Sequence, residues 1–309
     1  MDQQESNESV LPASGSDAPV SVTSTVSPAQ GSSVPLPCPT CGVSTQLNPP
    51  SNNMTTSAYV YALGRIEPRF PSLSVEKEYA QATGRAETAG LTDRQALQTV
   101  LSQNRYLARQ LCYILTIEGL DTYILQPGDP VDLQILIESL RSSPQPGDVD
   151  VVVGRRGPIA PPGLCNGLMV PIVIFDQIYS FDRESFVKSI PRPEKISAKD
   201  FGPAAQELFD RIIQMADNAG ATDADRAVNY LALRYPAIYA RAAESFAANS
   251  SLATLEVRPS PLSGTRKIVE VIFSYTNRET DVTEKFFVRV DVTEEFPFLH
   301  TKLSPHFDR

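Results

Sequence analysis

The four cysteines are the residues whose type and spacing carry the clearest chemical signal. Cys38 and Cys41 are separated by two residues, so both thiolates can reach one metal ion, as in a zinc knuckle. Cys112 lies in an apolar segment typical of a strand, and Cys165 lies in a predicted loop rich in glycine and proline. Because four thiolates complete a closed tetrahedral site, the sequence predicts one structural zinc ion bound by Cys38, Cys41, Cys112 and Cys165.

The same cysteines have two other interpretations. In a cytoplasmic chain they are expected to be reduced thiols or metal ligands and not disulfides. Without a metal, Cys112 is expected to be a small buried apolar residue. Cys38 and Cys41 then form a free or redox-active thiol pair, so a thiol-redox function stays an alternative.

Arginines provide the second candidate site. Arg155 and Arg156 stand between glycines directly after an apolar strand, in a predicted loop over 154–163. Paired guanidinium groups bind carboxylate or phosphate in a bidentate manner. Arg65, near the start of the ordered chain, is the third candidate binding residue, although an exposed ion pair explains it equally well. An enzyme of unrecognised mechanism, which uses the Arg155/Arg156 loop with nearby carboxylates, is therefore the catalytic alternative.

The acidic residues that could take part in such chemistry occur in pairs. Glu118 with Asp121, and Glu294 with Glu295, lie at turns or strand ends. Carboxylate pairs carry out acid–base catalysis or bind hard cations, but solvated carboxylates are common at turns. A catalytic role would require these acids to share a pocket with the arginines.

Several function classes are disfavoured by composition. The chain has two histidines, His300 and His306, and it has no Gly-x-Ser-x-Gly motif, so no protease triad is expected. The net charge of −9 opposes binding to nucleic acid or to anionic membranes. The N-terminus lacks a basic and apolar signal sequence, and no apolar run has the ~18–20 residues of a membrane span. We therefore expect a cytoplasmic protein.

Patterning predicts an α+β fold of two consecutive halves, each with helices packed on a small, mostly antiparallel sheet. Residues 1–56 are rich in Ser, Pro and Thr, and are predicted to be a disordered tail that carries the cysteine pair. The first half spans 57–190 and the second spans 191–309. No fixed-period repeat is found.

The elements of the two halves follow from apolar periodicity and from capping residues. In the first half, strands are predicted over 58–63, 111–117, 122–125, 148–153 and 168–179, with helices that begin near Ser74, Thr92 and Asp129. In the second half, helices are predicted over 197–220 and from Thr222 to about Ala248 with a break at Pro236. A three-stranded meander over 253–257, 267–275 and 282–292 follows.

Six sequence blocks together resemble one known family. The blocks are 59–72, 110–119, 157–162, 165–172, 229–236 and 257–266. In this order they resemble the C-terminal region of PatG-type cyanobactin maturation proteins, and they are also similar to the end of the PatA type. The resemblance covers nearly all of 57–309.

The resemblance implies a role in the maturation of ribosomal peptide natural products. PatG-type proteins carry a subtilisin-like protease before this region, whereas here only the predicted tail precedes it, so a stand-alone region is expected. The C-terminal region implies no catalytic residue. We therefore expect a non-catalytic accessory protein, a homodimer, that binds a peptide-modifying enzyme, a precursor peptide or itself.

Overall fold

Two sheets and eight α-helices make up the part of the chain that the computed structural model describes, residues 58–84, 90–215 and 217–307. The described residues all belong to one compact unit. The predicted α+β class, with two sheets and mostly antiparallel pairing, is confirmed. The predicted disordered tail and its residues Cys38 and Cys41 lie outside the described residues.

The first sheet is a closed five-stranded barrel in the order β1-β2-β3-β5-β4, with β4 returning to β1. Its neighbours pair antiparallel, except for the parallel pair β3 and β5. The strands are β1 (Tyr59–Arg69), β2 (Cys112–Ile117), β3 (Leu120–Pro127), β4 (Asp148–Ile159) and β5 (Pro171–Asp182).

Four helices are inserted between the strands of the barrel. They are α1 (Leu73–Thr83), α2 (Asp93–Gln103), α3 (Arg105–Gln110) and α4 (Leu133–Ser139). Thr92 caps α2 with a complete capping box, as the sequence predicts. Asp129 accepts a hydrogen bond from the Val131 amide and so begins a 3₁₀ turn, Pro130–Asp132, which leads into α4. Short α3 carries no strong sequence signal and is not predicted.

The second half contains four helices followed by an antiparallel sheet in the order β6-β7-β8-β9. Its elements are α5 (Arg183–Ser189), α6 (Ala198–Ile213), α7 (Asp223–Arg234), α8 (Ala237–Ala247), β6 (Ser250–Pro259), β7 (Ile268–Asn277), β8 (Thr283–Asp291) and β9 (Phe298–His306). The meander therefore has a fourth strand that the sequence analysis missed, because β9 carries mixed polar residues and Pro305.

One hydrophobic core joins the two predicted halves. Residues of β1 alternate between two apolar clusters: Val60 and Ala62 face the barrel interior, whereas Tyr61 and Leu63 pack with the later helices. The second cluster also includes Phe209 of α6 and Val271 of β7. Strand β1 is therefore a wall shared by the barrel and the C-terminal layer.

The turn between α6 and α7 lies directly on that shared strand. The amide of Tyr61 donates to the Gly220 carbonyl at 2.9 Å, and Asn229 Nδ2 donates to the Tyr61 carbonyl at 2.7 Å. Gly220 has a φ of +69°, and a Cβ there would lie 2.4 Å from the Tyr61 carbonyl oxygen. Only glycine meets both conditions without displacing backbone.

We predict that Gly220→Ala lowers the free energy of unfolding by more than about 2 kcal/mol, from left-handed backbone strain and steric overlap together. Urea unfolding followed by circular dichroism measures this change. Gly264→Ala is the matched control, because Gly264 lies between β6 and β7, its φ is outside the left-handed region, and no atom beyond its chain neighbours lies within 4 Å of an added Cβ. It should change the free energy of unfolding by less than about 1 kcal/mol. Equal stability of the two variants would contradict the packing described here.

Candidate functional site

The outer face of the C-terminal sheet carries a charged cluster. In β7, Val269, Val271 and Phe273 pack in the core, so strand alternation places Glu270 on the opposite face. Glu270 is nevertheless only 2% exposed. Because a buried carboxylate is costly unless it is paired, the neighbouring strands must supply its partners.

Register supplies those partners from both sides. Glu270 is paired across strands with Arg258 of β6 and with Arg289 of β8, so the three residues form a line across the sheet. Arg258 Nη2 lies 2.7 Å from one carboxylate oxygen of Glu270, and Arg289 Nη2 lies 2.7 Å from the other. Burial raises the pKa of Glu270, but the two guanidinium groups outweigh it and hold that pKa below its ordinary value.

Aromatic rings and an imidazole extend the cluster. The Arg289 guanidinium lies 4.7 Å from the Phe287 ring centroid, a cation–π distance. The His306 ring meets Phe287 edge-on, with centroids 5.8 Å apart, and its Nε2 lies 3.1 Å from Arg258 Nη2. His306 is thus part of a positively charged cluster, beside Arg258.

A cavity of about 740 Å³ opens over this cluster. It is lined by Arg258, Pro261, Leu262, Glu270, Phe287, Arg289, Pro305, His306 and Phe307. Leu262 is 57% exposed and Phe307 is 80% exposed, so the cavity has apolar walls open to solvent. We call this set of nine residues the sheet-face cavity.

Charge in the sheet-face cavity is unbalanced. Glu270 is the carboxylate among its nine residues, and two guanidinium groups share it. Glu256 lies 3.8 Å from Arg258 Nη1 at the rim, where both side chains are substantially exposed and their attraction is screened. The cavity is therefore suited to an anionic group that brings apolar neighbours with it.

Strand β9 forms one edge of the sheet next to this cavity. It pairs with β8 on one side, and the order β6-β7-β8-β9 places it at the end of the sheet. The Leu303 amide donates to the Tyr235 hydroxyl at 2.9 Å, which anchors the strand to the helical layer. Phe298 on β9 and Phe296 before it are 45% and 52% exposed. The backbone groups of an edge strand can pair with a further strand, and residues 298–302 precede the Leu303 anchor.

The prediction that Arg155 and Arg156 lie in a loop is wrong. Both arginines lie within β4, which continues to Ile159 through a bulge at Gly154. A Cβ at Gly154 would lie 2.3 Å from the Ile174 carbonyl oxygen, so this glycine serves close strand packing and not a turn. Consecutive strand residues point to opposite faces, and the two guanidinium groups are therefore not a pair. Arg155 instead contacts Asp176 at 3.1 Å.

Arg65 lies apart from the other predicted binding residues. It lines a cavity of about 320 Å³ together with Glu118, and neither Arg155 nor Arg156 lines that cavity. Its guanidinium donates to the Pro146 carbonyl and, at 3.4 Å, to the Asp148 carbonyl. These bonds join β1 to the start of β4. The acids and arginines of the catalytic alternative are thus not gathered in this cavity.

The cysteines differ from the sequence expectation. Cys112 and Cys165 form a disulfide with their Cα atoms 5.7 Å apart, so the expectation of reduced thiols at these two positions is wrong. A disulfide offers no thiolate to zinc. Among the described residues, no group of three or more His, Cys, Asp or Glu side chains is placed to hold a metal ion. Because Cys38 and Cys41 lie outside those residues, the four-cysteine zinc site stays a prediction for a reduced chain.

A second charged contact joins α7 to the turn before β9. Arg226 of α7 is fully buried, and it donates to the carbonyls of Val292 at 2.8 Å, Glu294, and Glu295 at 3.1 Å. Burial, and then the nearby carboxylate of Asp176, raise the pKa of Glu295 to about 7. This turn is therefore sensitive to pH near neutrality.

Since the pKa of Glu295 is raised above its ordinary 4.5, the folded chain binds more protons than the unfolded chain between about pH 4.5 and 7. This residue's contribution to the free energy of unfolding therefore falls as the pH rises through that window. We predict that Glu295→Gln removes this contribution, so the variant loses less stability than the wild type between pH 5 and pH 8. Urea unfolding at the two pH values measures the difference.

Glu294→Gln is the control, because Glu294 is the adjacent residue in the same turn and its side chain is exposed. It should keep the wild-type difference between the two pH values. The same pH difference for wild type and Glu295→Gln would refute the assignment.

The sequence analysis missed Arg258, Glu270 and Arg289. One usable signal was present, since Glu270 interrupts the apolar run of the predicted strand 267–275. A charged residue flanked by valines in a buried strand demands partners from the neighbouring strands. Arg258 and Arg289 could not be assigned as those partners without the register.

Comparison with known proteins places this site within a recognised region. A family model described as PatG C-terminal matches residues 195–306. A solved structure described as "PatG Domain of Unknown Function" is similar with a TM-score of 0.66 and 21% sequence identity, over 81% of this chain and 99% of that chain. No curated protein matches the chain. The predicted resemblance to the PatG C-terminal region is confirmed: residues 195–306 match that family model, and the solved domain shares the fold.

Proposed function

We propose that this chain is a non-catalytic accessory protein that binds an extended polypeptide segment carrying a carboxylate at the outer face of the C-terminal sheet. The observation that carries this proposal is the sheet-face cavity, where two guanidinium groups share one buried carboxylate beside an edge strand.

The carboxylate follows from the donors that remain available. Arg258 is 43% exposed and Arg289 is 21% exposed, and each guanidinium has five N–H donors. Glu270 accepts from the Nε and Nη2 atoms of both arginines, so the Nη1 groups are the donors that Glu270 does not use. Carboxylates match the planar fork of arginine in geometry and charge.

A polypeptide is favoured over a small anion because of the adjoining edge. Extended peptides add a strand to an exposed sheet edge, and pockets for alternate side chains give specificity. Here β9 offers the edge, while Leu262, Phe287 and Phe307 offer apolar contacts in the cavity. Because the sequence resembles PatG-type maturation proteins, we propose that the polypeptide is a precursor peptide or a peptide-modifying enzyme.

Acid–base catalysis is the second candidate function, and the titration of Glu295 near pH 7 favours it. The acid lies beside Asp176 and Arg155, whereas Arg156 points to the other face of β4. The accessory role requires none of these groups to meet, and we therefore prefer it.

Every helix in the described residues is too short or too polar to cross a membrane.

The homodimer, the cytoplasmic location and the structural zinc ion remain proposals. Closed two-fold dimers are the commonest assembly. Sedimentation velocity tests the dimer. Metal analysis of the reduced, unchelated chain tests the zinc ion.

We predict that the peptide acetyl-Val-Phe-Val-Glu-Val-amide binds at least about tenfold more tightly than its Gln counterpart, because a charge-assisted hydrogen bond contributes roughly 1.5–3 kcal/mol. Isothermal titration calorimetry on the full chain measures both affinities. Arg258→Gln should remove the preference for Glu and leave the weaker Gln peptide unchanged, while Glu270 keeps Arg289 as its partner.

Arg278→Gln is the matched control, since Arg278 is an exposed arginine at the turn between β7 and β8 and does not line the sheet-face cavity. It should bind both peptides as the wild type does. Equal affinity of the wild type for the Glu and Gln peptides, or an equal loss in both arginine variants, would exclude the carboxylate site.

A further inference from the structure

We propose that the Cys112–Cys165 disulfide is a redox-modification site that a dithiol reductant cleaves, and that cleavage releases the segment 160–170 from the outer face of the barrel. We call this segment the cover segment. The proposal is independent of the sheet-face cavity, because it concerns the barrel strands β2, β3 and β5.

The disulfide joins the cover segment to the barrel. Cys112 is the first residue of β2, and Cys165 begins a 3₁₀ turn, Cys165–Gly167, between β4 and β5. Both cysteines belong to a small apolar cluster with Ile114 and Ile124, which is separate from the two larger cores. The cover segment thus lies over isoleucine side chains on the outside of the barrel.

Hydrogen bonds of the cover segment join its own residues. Ala160 N donates to Val170 O at 2.9 Å, which closes the base of the segment. Leu164 N donates to Pro161 O, and Leu168 N donates to Cys165 O. Covalent linkage through Cys165, together with the packing of a few apolar side chains, therefore holds the segment on the barrel.

Backbone conformation favours release once the link is cut. Cys165 and Asn166 have φ values of 49° and 55°, in the left-handed region, which disfavours Cys but which Asn adopts readily. Such conformations persist only where the surrounding structure constrains them. The disulfide is one such constraint at Cys165 itself.

A reductant has a route to the sulfur atoms. Cys112 and Cys165 both line a cavity of about 730 Å³, although their residues are 5% and 7% exposed. Arg109 lines the same cavity. Disulfide exchange requires that a thiolate of the reductant reach one of the two sulfur atoms, and this cavity borders both cysteines.

The exchange step is balanced by the dithiol. One thiolate of the reductant attacks a sulfur of the pair, the Cys112–Cys165 bond breaks, and its electron pair leaves on the other cysteine as a thiolate that takes up a proton. The second thiolate of the reductant then attacks its own sulfur in the mixed disulfide and releases the remaining cysteine. The reductant is oxidised to a cyclic disulfide, and the chain gains two electrons and two protons.

Reduction by dithiothreitol, in the full chain with Cys38→Ser and Cys41→Ser, tests the proposal. Those two substitutions leave Cys112 and Cys165 as the cysteines that iodoacetamide can label after reduction. We expect iodoacetamide to label both cysteines under non-denaturing conditions. Amide hydrogen exchange at 163–170 should accelerate at least about tenfold, with exchange in β4 and β7 unchanged.

Two results would overturn it. One is reduction of the disulfide only under conditions in which the amides of β4 and β7 also exchange faster, which would make it a purely structural bond. The other is complete labelling with wild-type exchange at 163–170. Cys112→Ser with Cys165→Ser, added to the same background, should exchange rapidly at 163–170 without reductant. If that variant does not fold, the dithiothreitol series on the parent chain decides the question.

Discussion

The contact of Gly220 with strand β1 is the constraint on which the rest of the fold depends. The Gly220 carbonyl accepts from the Tyr61 amide, and the carbonyl of the neighbouring Ala219 accepts from the Tyr123 hydroxyl at 2.9 Å. This turn is therefore hydrogen-bonded to two barrel strands, β1 and β3. Asn229 adds a third bond from α7 to Tyr61. Through this turn the helices and the inner face of the C-terminal sheet complete a core that β1 shares. The outer face of that sheet lies outside this shared core, and it carries the charged cluster and the sheet-face cavity.

Electrostatics separates the structural charges from those suited to binding. Arg226 is fully buried, and its bonds to the carbonyls of the turn before β9 fix where β9 begins. Arg258 and Arg289 instead satisfy a buried carboxylate while they keep part of their surface open. Fully buried Arg226 stabilises the fold, whereas the partly exposed arginine pair around Glu270 retains positive charge for a ligand.

Features that depend on neighbouring residues were predicted from the sequence, whereas features that depend on contacts between distant segments were not. Local signals predicted the cap at Thr92, the turn at Asp129 and the helix boundary at Thr222, because each depends on residues within one helical turn. The Arg155/Arg156 loop was wrong because flanking glycines are common to loops and to closely packed strands, and only the Ile174 backbone distinguishes them. The disulfide and the line Arg258–Glu270–Arg289 depend on register between strands distant in sequence, which no local pattern contains.

Amide hydrogen exchange of the full chain, with and without saturating acetyl-Val-Phe-Val-Glu-Val-amide, tests whether the outer face of the C-terminal sheet binds a polypeptide. A polypeptide added at the edge of the sheet protects the amides of that edge strand. We expect slower exchange in 298–302 of β9, with β6 at the opposite edge of the sheet and the barrel strands unchanged. Protection confined to the barrel, or no protection at saturation, would contradict the assignment of the outer sheet face as the binding surface.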